Sequence, residues 1–403
     1  MVAATSPADA RGRPGRPRPT KETPTTDDQE RGLRQPLRGA AAFVVTAGLS
    51  LAFCALFTPA TLGSWVALVF IGTVPAMVVL AVGLHLESPG FLARAPQPAK
   101  GVIFVALAAL VSAVVSPLVL YGIGGGVTPP NPFAILYLVQ TVPVTLGLVL
   151  LFRCWPLTAL SRRPDVVGVG TLVLAYALTW VIFRVFFDFS FLKGTPVYLE
   201  RLDPRGLFMA WKSAAFIVTA GAVLLCFVLF EFWPVSVLVA KRPALAREPL
   251  FGLLSGAVVL LVTLVVWGIP VGLAGVDPVV FMTRAPVAVI FGVFIVQAIF
   301  QGVGFSRFAQ PLKGVAMTAA VIALALAVQV IYGAAARVIA PGMKAGAPSY
   351  ELELWLATSM LGVTFPVIVV FCDAFAFWPL RRTAKTRPAR DRPPGTRPPQ
   401  SPD

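Results

Sequence analysis

Arg184, Lys212, Arg284 and Arg337 interrupt stretches of this 403-residue chain that are otherwise almost wholly apolar, and Gln140 lies at a comparable level. A charge inside hydrocarbon is costly, so each such cation must find water, an acidic partner or a bound anion. Lys212 and Arg284 fall at nearly equivalent places in their segments. A group of cations toward one face of a bilayer would concentrate a small anion. Two plainer fates are open: side chains reaching the headgroups, or pairing with Asp188, Asp277, Glu351 or Glu353. Toward the opposite face lie Glu231 and Asp373, shortly before Trp233 and Trp378. Carboxyls there would accept protons in a coupled carrier, or pair with loop arginines.

Other chemistry lacks its residues. The one histidine, His85 beside Glu87, cannot build a bis-His haem, a multi-His copper site or a zinc hydrolase. Cys54, Cys154, Cys226 and Cys372 are isolated, with neither metal spacing nor a disulfide pattern. No phosphate loop, nucleophile elbow or acidic metal-binding pair is present, and the Gly122–Gly126 run leads into Pro129-Pro130 as a loop. No catalytic residue, metal or cofactor is expected, nor an enzyme.

The elements that position these residues follow from composition. The chain is 57% hydrophobic and 13% charged, where a soluble domain has about a quarter charged. Spans of about 20 apolar residues cross the hydrocarbon. They read at about 40–57, 65–84, 101–121, 133–152, 166–187, 207–232, 250–271, 279–300, 314–336 and 352–378. The expectation is an all-α integral membrane protein of ten transmembrane helices, because lipid-exposed backbone must bond within its own segment. Most of the +15 net charge gathers in the tails and in every second connection: Arg94 and Lys100, Arg153 to Arg163, Lys241 to Arg247, Arg307 and Lys313. The opposite connections are nearly neutral. The positive-inside rule therefore makes both termini cytoplasmic.

A Pro-x-x-Gly signature opens the odd segments: Pro36 to Gly39, Pro98 to Gly101, Pro249 to Gly252 and Pro311 to Gly314, with one extra residue in Pro164 to Gly168. Successive prolines lie 62, 66, 85 and 62 residues apart, room for two spans and their loops. The domain organisation is a basic, disordered tail over 1–38, a membrane domain over 39–380, and a second such tail over 381–403. The membrane domain divides into five repeated hairpins, about 39–84, 101–152, 166–232, 250–300 and 314–378.

Within the even spans, Thr73-x-Pro75, Thr141-x-Pro143, Thr283-x-x-Pro286 and Thr364-x-Pro366 recur, with Ser213-Ala214-Ala215 in the third hairpin. Each proline frees a carbonyl one turn earlier, as a packing kink or as part of a polar path. Trp155-Pro156, Trp233-Pro234 and Trp378-Pro379 read as interfacial anchors. Small residues such as Gly39, Gly168, Gly252 and Gly256 point to odd helices packed inside, with larger even helices facing lipid.

Five two-helix hairpins with cytoplasmic termini resemble, in helix count and symmetry, the slow-anion-channel and tellurite-resistance/dicarboxylate transporter family. None of that family's sequence signatures is present, and its proline kinks fall in inner helices whereas here they mark even ones. The expected function is a multi-pass plasma-membrane transporter or channel for a small solute, an anion if the cations gather. A non-transporting membrane subunit or scaffold is the alternative. Partners are the lipid bilayer, the solute and, in the second reading, other membrane subunits. Nucleic acid is not expected: Arg11 to Pro17 resembles an AT-hook core, but on such a chain a polybasic tail near anionic headgroups accounts for it. The Pro- and Ala-rich composition is that of a high-GC bacterium, which places the protein in the inner membrane.

Overall fold

The computed structural model describes residues 33 and 35–380. The motif at Arg11 to Pro17 and the expected tails, up to residue 32 and from Arg381, lie outside the described residues. Ten helices are long and apolar enough to cross a bilayer, as in a multi-pass membrane protein. They are α1 Leu37–Cys54, α2 Pro59–Gly83, α3 Ala99–Gly122, α4 Pro132–Leu151 and α5 Pro164–Phe186. The second half comprises α6 Ala210–Leu229, α7 Leu250–Leu273, α8 Pro278–Ile299, α9 Leu312–Ile339 and α10 Glu351–Ala374. Among the described residues the sheet is limited to Phe187–Asp188 beside Phe208–Met209, in the long connection between α5 and α6.

The even helices form the inside, the reverse of the expectation from residue size. Between 61% and 72% of their central residues are buried, against 28–39% in the odd helices. They close into a ring: α2 packs on α4, α4 on α6, α6 on α8, α8 on α10, and α10 back on α2. Each odd helix lies outside, mainly on the even helix before it in the chain: α3 on α2, α5 on α4, α7 on α6 and α9 on α8. The first helix, α1, completes the outer layer by packing on α10. The two helices of an expected hairpin thus share little contact. The packed pairs straddle the basic connections instead.

Small residues on the odd helices serve one narrow seam each. On α1 the buried positions include Gly39, Ala42, Thr46 and Ser50; on α5 they include Gly168, Thr171, Ala175 and Thr179. Steps of three and four residues keep one face toward the ring, and lipid covers the rest.

The base of each seam explains the Pro-x-x-Gly signature. The proline has no N–H to lose and its fixed φ suits a helix start. It precedes the first helical residue of α1, α3, α7 and α9, and is the first residue of α5. One turn on, the glycine meets the side chain that follows an even helix: Gly39 meets Phe300, Gly101 Phe375, Gly168 Leu84, Gly252 Phe152 and Gly314 Phe230. A Cβ at any of the five would fall under 3.0 Å from that side chain. In three of them a glutamine preceding the proline reaches the same neighbour. Gln35 Nε2 donates to the Ile299 carbonyl at 2.9 Å, Gln97 Nε2 to Ala374 at 2.7 Å, and Gln310 Nε2 to Leu229 at 3.0 Å. Glu248 holds the corresponding place before Pro249; its Oε2 accepts from the Gly252 N–H at 3.1 Å, with Arg153 Nε 3.8 Å from Oε1.

Aligned on these contacts, Pro75, Pro143 and Pro366 lie the same distance before Leu84, Phe152 and Phe375. Two sequence expectations change. The counterpart in α6 is Thr219-Ala220-Gly221, not Ser213 to Ala215, and Pro286 lies more than a turn nearer the start of its helix. Thr283 Oγ1 is buried without a partner; the other threonine hydroxyls are not free to line a polar path. They donate within their own helices, Thr73 to Phe70, Thr141 to Tyr137, Thr219 to Ala215 and Thr364 to Ser359, at 2.6–3.0 Å.

Candidate functional site

The ring of even helices encloses a cavity of about 180 Å³ to which all five contribute. Its wall includes Ile71 and Val74 of α2, Val139, Val142 and Leu146 of α4, and Val218 and Gly221 of α6. Met282, Ile290 and Phe294 of α8 and Ala357, Leu361 and Phe365 of α10 complete the belt. None of the lining side chains is ionisable, and Thr358 supplies a hydroxyl. Toward the basic end of the bundle the Phe294 and Phe365 rings meet with centroids 4.2 Å apart. Toward the other end the wall is formed by Pro132, Trp211 and Leu354.

Trp211 is held by two aromatic neighbours from connecting segments, Phe191 at 6.4 Å and Tyr350 at 6.1 Å between centroids. The Tyr350 hydroxyl donates to the Asp277 carboxylate at 2.6 Å. Asp277 in turn accepts from the Val279 and Val280 N–H groups and caps α8. Burial, then the bond to Asp277 and its negative charge, push the Tyr350 hydroxyl up to about 12. It therefore stays protonated and donating throughout the physiological range.

The sequence-derived candidates do not converge on this cavity. Arg184, Lys212, Arg284 and Arg337 are exposed, and none lines it. Asp277 is engaged by Tyr350 and the α8 N-terminus instead of a cation. The ion pairs among the described residues are Arg153–Glu248, Arg205–Glu200 and Lys313–Glu231, so the anticipated pairing of the four cations is not found. Gln140 is fully buried; its Nε2 donates to the Leu136 carbonyl at 2.8 Å, while its Oε1 has no partner. Glu231 is bound to Lys313 Nζ at 2.5 Å, and that bond holds its carboxyl below the usual range. This exposed pair contributes little stability, present at neutral pH and lost as pH falls through the lowered value. Asp373 is exposed at the basic end of α10.

An exposed Arg284 with no ion-pair partner makes a direct expectation. Arg284→Gln should leave unfolding free energy within about 0.5 kcal/mol of the parent, checked by thermal unfolding in one detergent. A large loss would mean that the guanidinium holds a structural contact.

The residues that form the cavity were passed over because aliphatic and aromatic side chains are unremarkable in a span. A signal existed in their spacing: Met282, Ile290 and Phe294 share a face of α8, on the side opposite Arg284. The chain matches none of the protein-family models, curated proteins or solved structures with which it was compared. The helix-count resemblance therefore has no match behind it, although the proline-bearing helices are the inner ones here. Function has to be argued from the cavity itself.

Proposed function

We propose that this chain is a plasma-membrane transporter or channel that carries a small solute along the axis of its inner ring. The supporting observation is the cavity bounded by all five even helices, in the middle of a fold whose other surfaces face lipid or neighbouring helices. On this reading Phe294 and Phe365 close the path toward the cytoplasm, and the connection bearing Phe191 and Tyr350 frames its outer mouth. The five helix pairs are copies of one unit, as the recurring glycine contacts support, and both termini are cytoplasmic, as the basic connections support. The exposed cations reach the headgroups and do not bind the solute.

Orientation is checked by cysteine labelling in intact cells. Cysteines at Thr128, Thr195 and Ala274 should react with an impermeant maleimide, and those at Ala95, Ser161 and Ala244 should not. The reverse pattern inverts the topology. Transport is checked by shrinkage and reswelling of proteoliposomes under gradients of small alcohols, amides, carboxylates and chloride. At least one solute should enter faster than into empty vesicles. No solute entering, together with retention of a stable protein partner on purification, would favour a scaffold.

A further inference from the structure

We infer that the axial cavity selects an uncharged solute with an apolar body and one polar group, such as a small alcohol or amide, and rejects ions. This rests on the axial path proposed above and adds its substrate class. Three observations carry it.

The first is the wall. An ion entering a site lined by Val139, Val218, Met282, Phe294 and Leu361 loses its hydration shell and gains no opposite charge. Transfer of an uncompensated ion into such surroundings costs several kcal/mol or more, and aliphatic constrictions exclude hydrated ions by dewetting. The four membrane-embedded cations that would favour an anion do not reach the cavity. The nearby hydroxyls of Thr141, Thr219 and Thr364 already donate to backbone carbonyls, which leaves the uncharged hydroxyl of Thr358 in the wall.

The second is what the prolines leave behind. Pro75, Pro143, Pro286 and Pro366 have no N–H to offer the carbonyl four residues earlier. Those carbonyls belong to Ile71, Val139, Met282 and Gly362, and all four residues line the cavity. The adjacent hydroxyls of Thr73, Thr141 and Thr364 bond to other carbonyls, those of Phe70, Tyr137 and Ser359. The breaks thus leave the carbonyls of Ile71, Val139 and Gly362 without their regular α-helical donor, while the Met282 carbonyl is taken up by the π turn over Thr283–Val287 and Thr358 adds a hydroxyl to the wall. An almost wholly apolar wall with a hydroxyl in it admits a neutral molecule bearing one polar group and offers no charge to pair with a carboxylate, chloride or phosphate.

The third is size. A cavity of about 180 Å³ is close to the roughly 150 Å³ apolar cavity that admits benzene. One six-membered ring or a short branched chain fills it, and a disaccharide or nucleotide does not enter.

The test places a thiol in the wall. Ala357→Cys in the full chain, in proteoliposomes, is treated with methyl methanethiosulfonate, which is small and uncharged. Modification is located by mass spectrometry, with the parent chain as blank for its four native cysteines. Benzyl alcohol, benzoate and benzylammonium are added as competitors of one shape and three charges. Benzyl alcohol at about ten times its Kd should slow modification about tenfold, and the two ions at the same concentration should leave the rate unchanged. Protection by benzoate equal to or better than that by the alcohol would overturn the inference and restore an anion site. Protection by benzylammonium alone would overturn it in favour of a cation, and protection by none of the three would overturn it outright. Failure of the reagent to reach residue 357 while it modifies Thr195→Cys would instead refute the axial path.

Discussion

Gly252→Ala should lower the melting temperature, whereas Gly48→Ala and Gly333→Ala should not. In an open helix interior, alanine in place of glycine gains about 1 kcal/mol from backbone propensity. Nothing lies within 4 Å of a Cβ at Gly48 or Gly333, so that gain is free of a steric cost there. At Gly252 the new methyl meets the Phe152 ring at a separation that real Cβ atoms do not adopt. Overpacking of a fitted contact costs about 1–3 kcal/mol, enough to cancel the propensity gain and leave a net loss. Gly252→Val should lose more. Phe152→Leu beside Gly252→Ala should recover part of the loss, because leucine is smaller and more flexible than the phenyl ring that the new methyl meets. The double-mutant coupling should reach about 1 kcal/mol. If all three glycines respond alike to alanine, the ring contact is not what requires glycine at this position.

Filling the cavity should abolish transport without unfolding the protein. Ala357→Phe introduces a ring at a position where the wall faces about 180 Å³ of open volume, so the usual cost of overpacking does not apply. Added apolar contact in a void is neutral or stabilising. Solute entry into proteoliposomes should therefore fall to the level of empty vesicles while the melting temperature holds or rises. Leu118→Phe, on the exposed surface of α3, is the control and should transport as the parent does. Unchanged entry through Ala357→Phe would remove the axial path, since the added ring occupies the cavity toward the end marked by Trp211 and Leu354.

The ten spans were legible because crossing a bilayer demands a run of apolar residues. The punctuating prolines and glycines were legible because their backbone chemistry is specific. Which rank of helices lies inside was not. In lipid, a helix that faces acyl chains is as apolar as one that faces protein, and here mean hydropathy runs over 2.0–2.5 in the even helices and 1.7–2.7 in the odd. Small residues misled because Gly39 or Gly252 indicates one close neighbour, not burial all round. That the candidate cations do not gather at the cavity has a related reason. Sequence gives depth along a span but not the direction a side chain faces. Arg284 and Met282 differ by two positions, roughly 200° around a helix, which separates an exposed cation from a wall of the cavity. Gln35, Gln97 and Gln310 were passed over because a polar residue before a proline reads as loop. Their function depends on carbonyls far away in the chain.

The manner in which the outer layer closes also sets an order of biosynthesis. The earliest helix to emerge, α1, carries Ala42, Thr46 and Ser50 on the face that the last helix covers. Gln35 waits for a carbonyl 264 residues downstream. Until then α1 is a helix in lipid with its seam unfilled, and α2 is one raw edge of an unfinished arc. Each later inner helix extends the arc, but none encloses anything until α10 reaches both α1 and α2. A nascent chain stopped after α8 therefore holds four-fifths of the inner wall and no lumen. On the axial-path reading, a partly made chain has no conduit to leak through, because the enclosure exists only once α10 has been delivered.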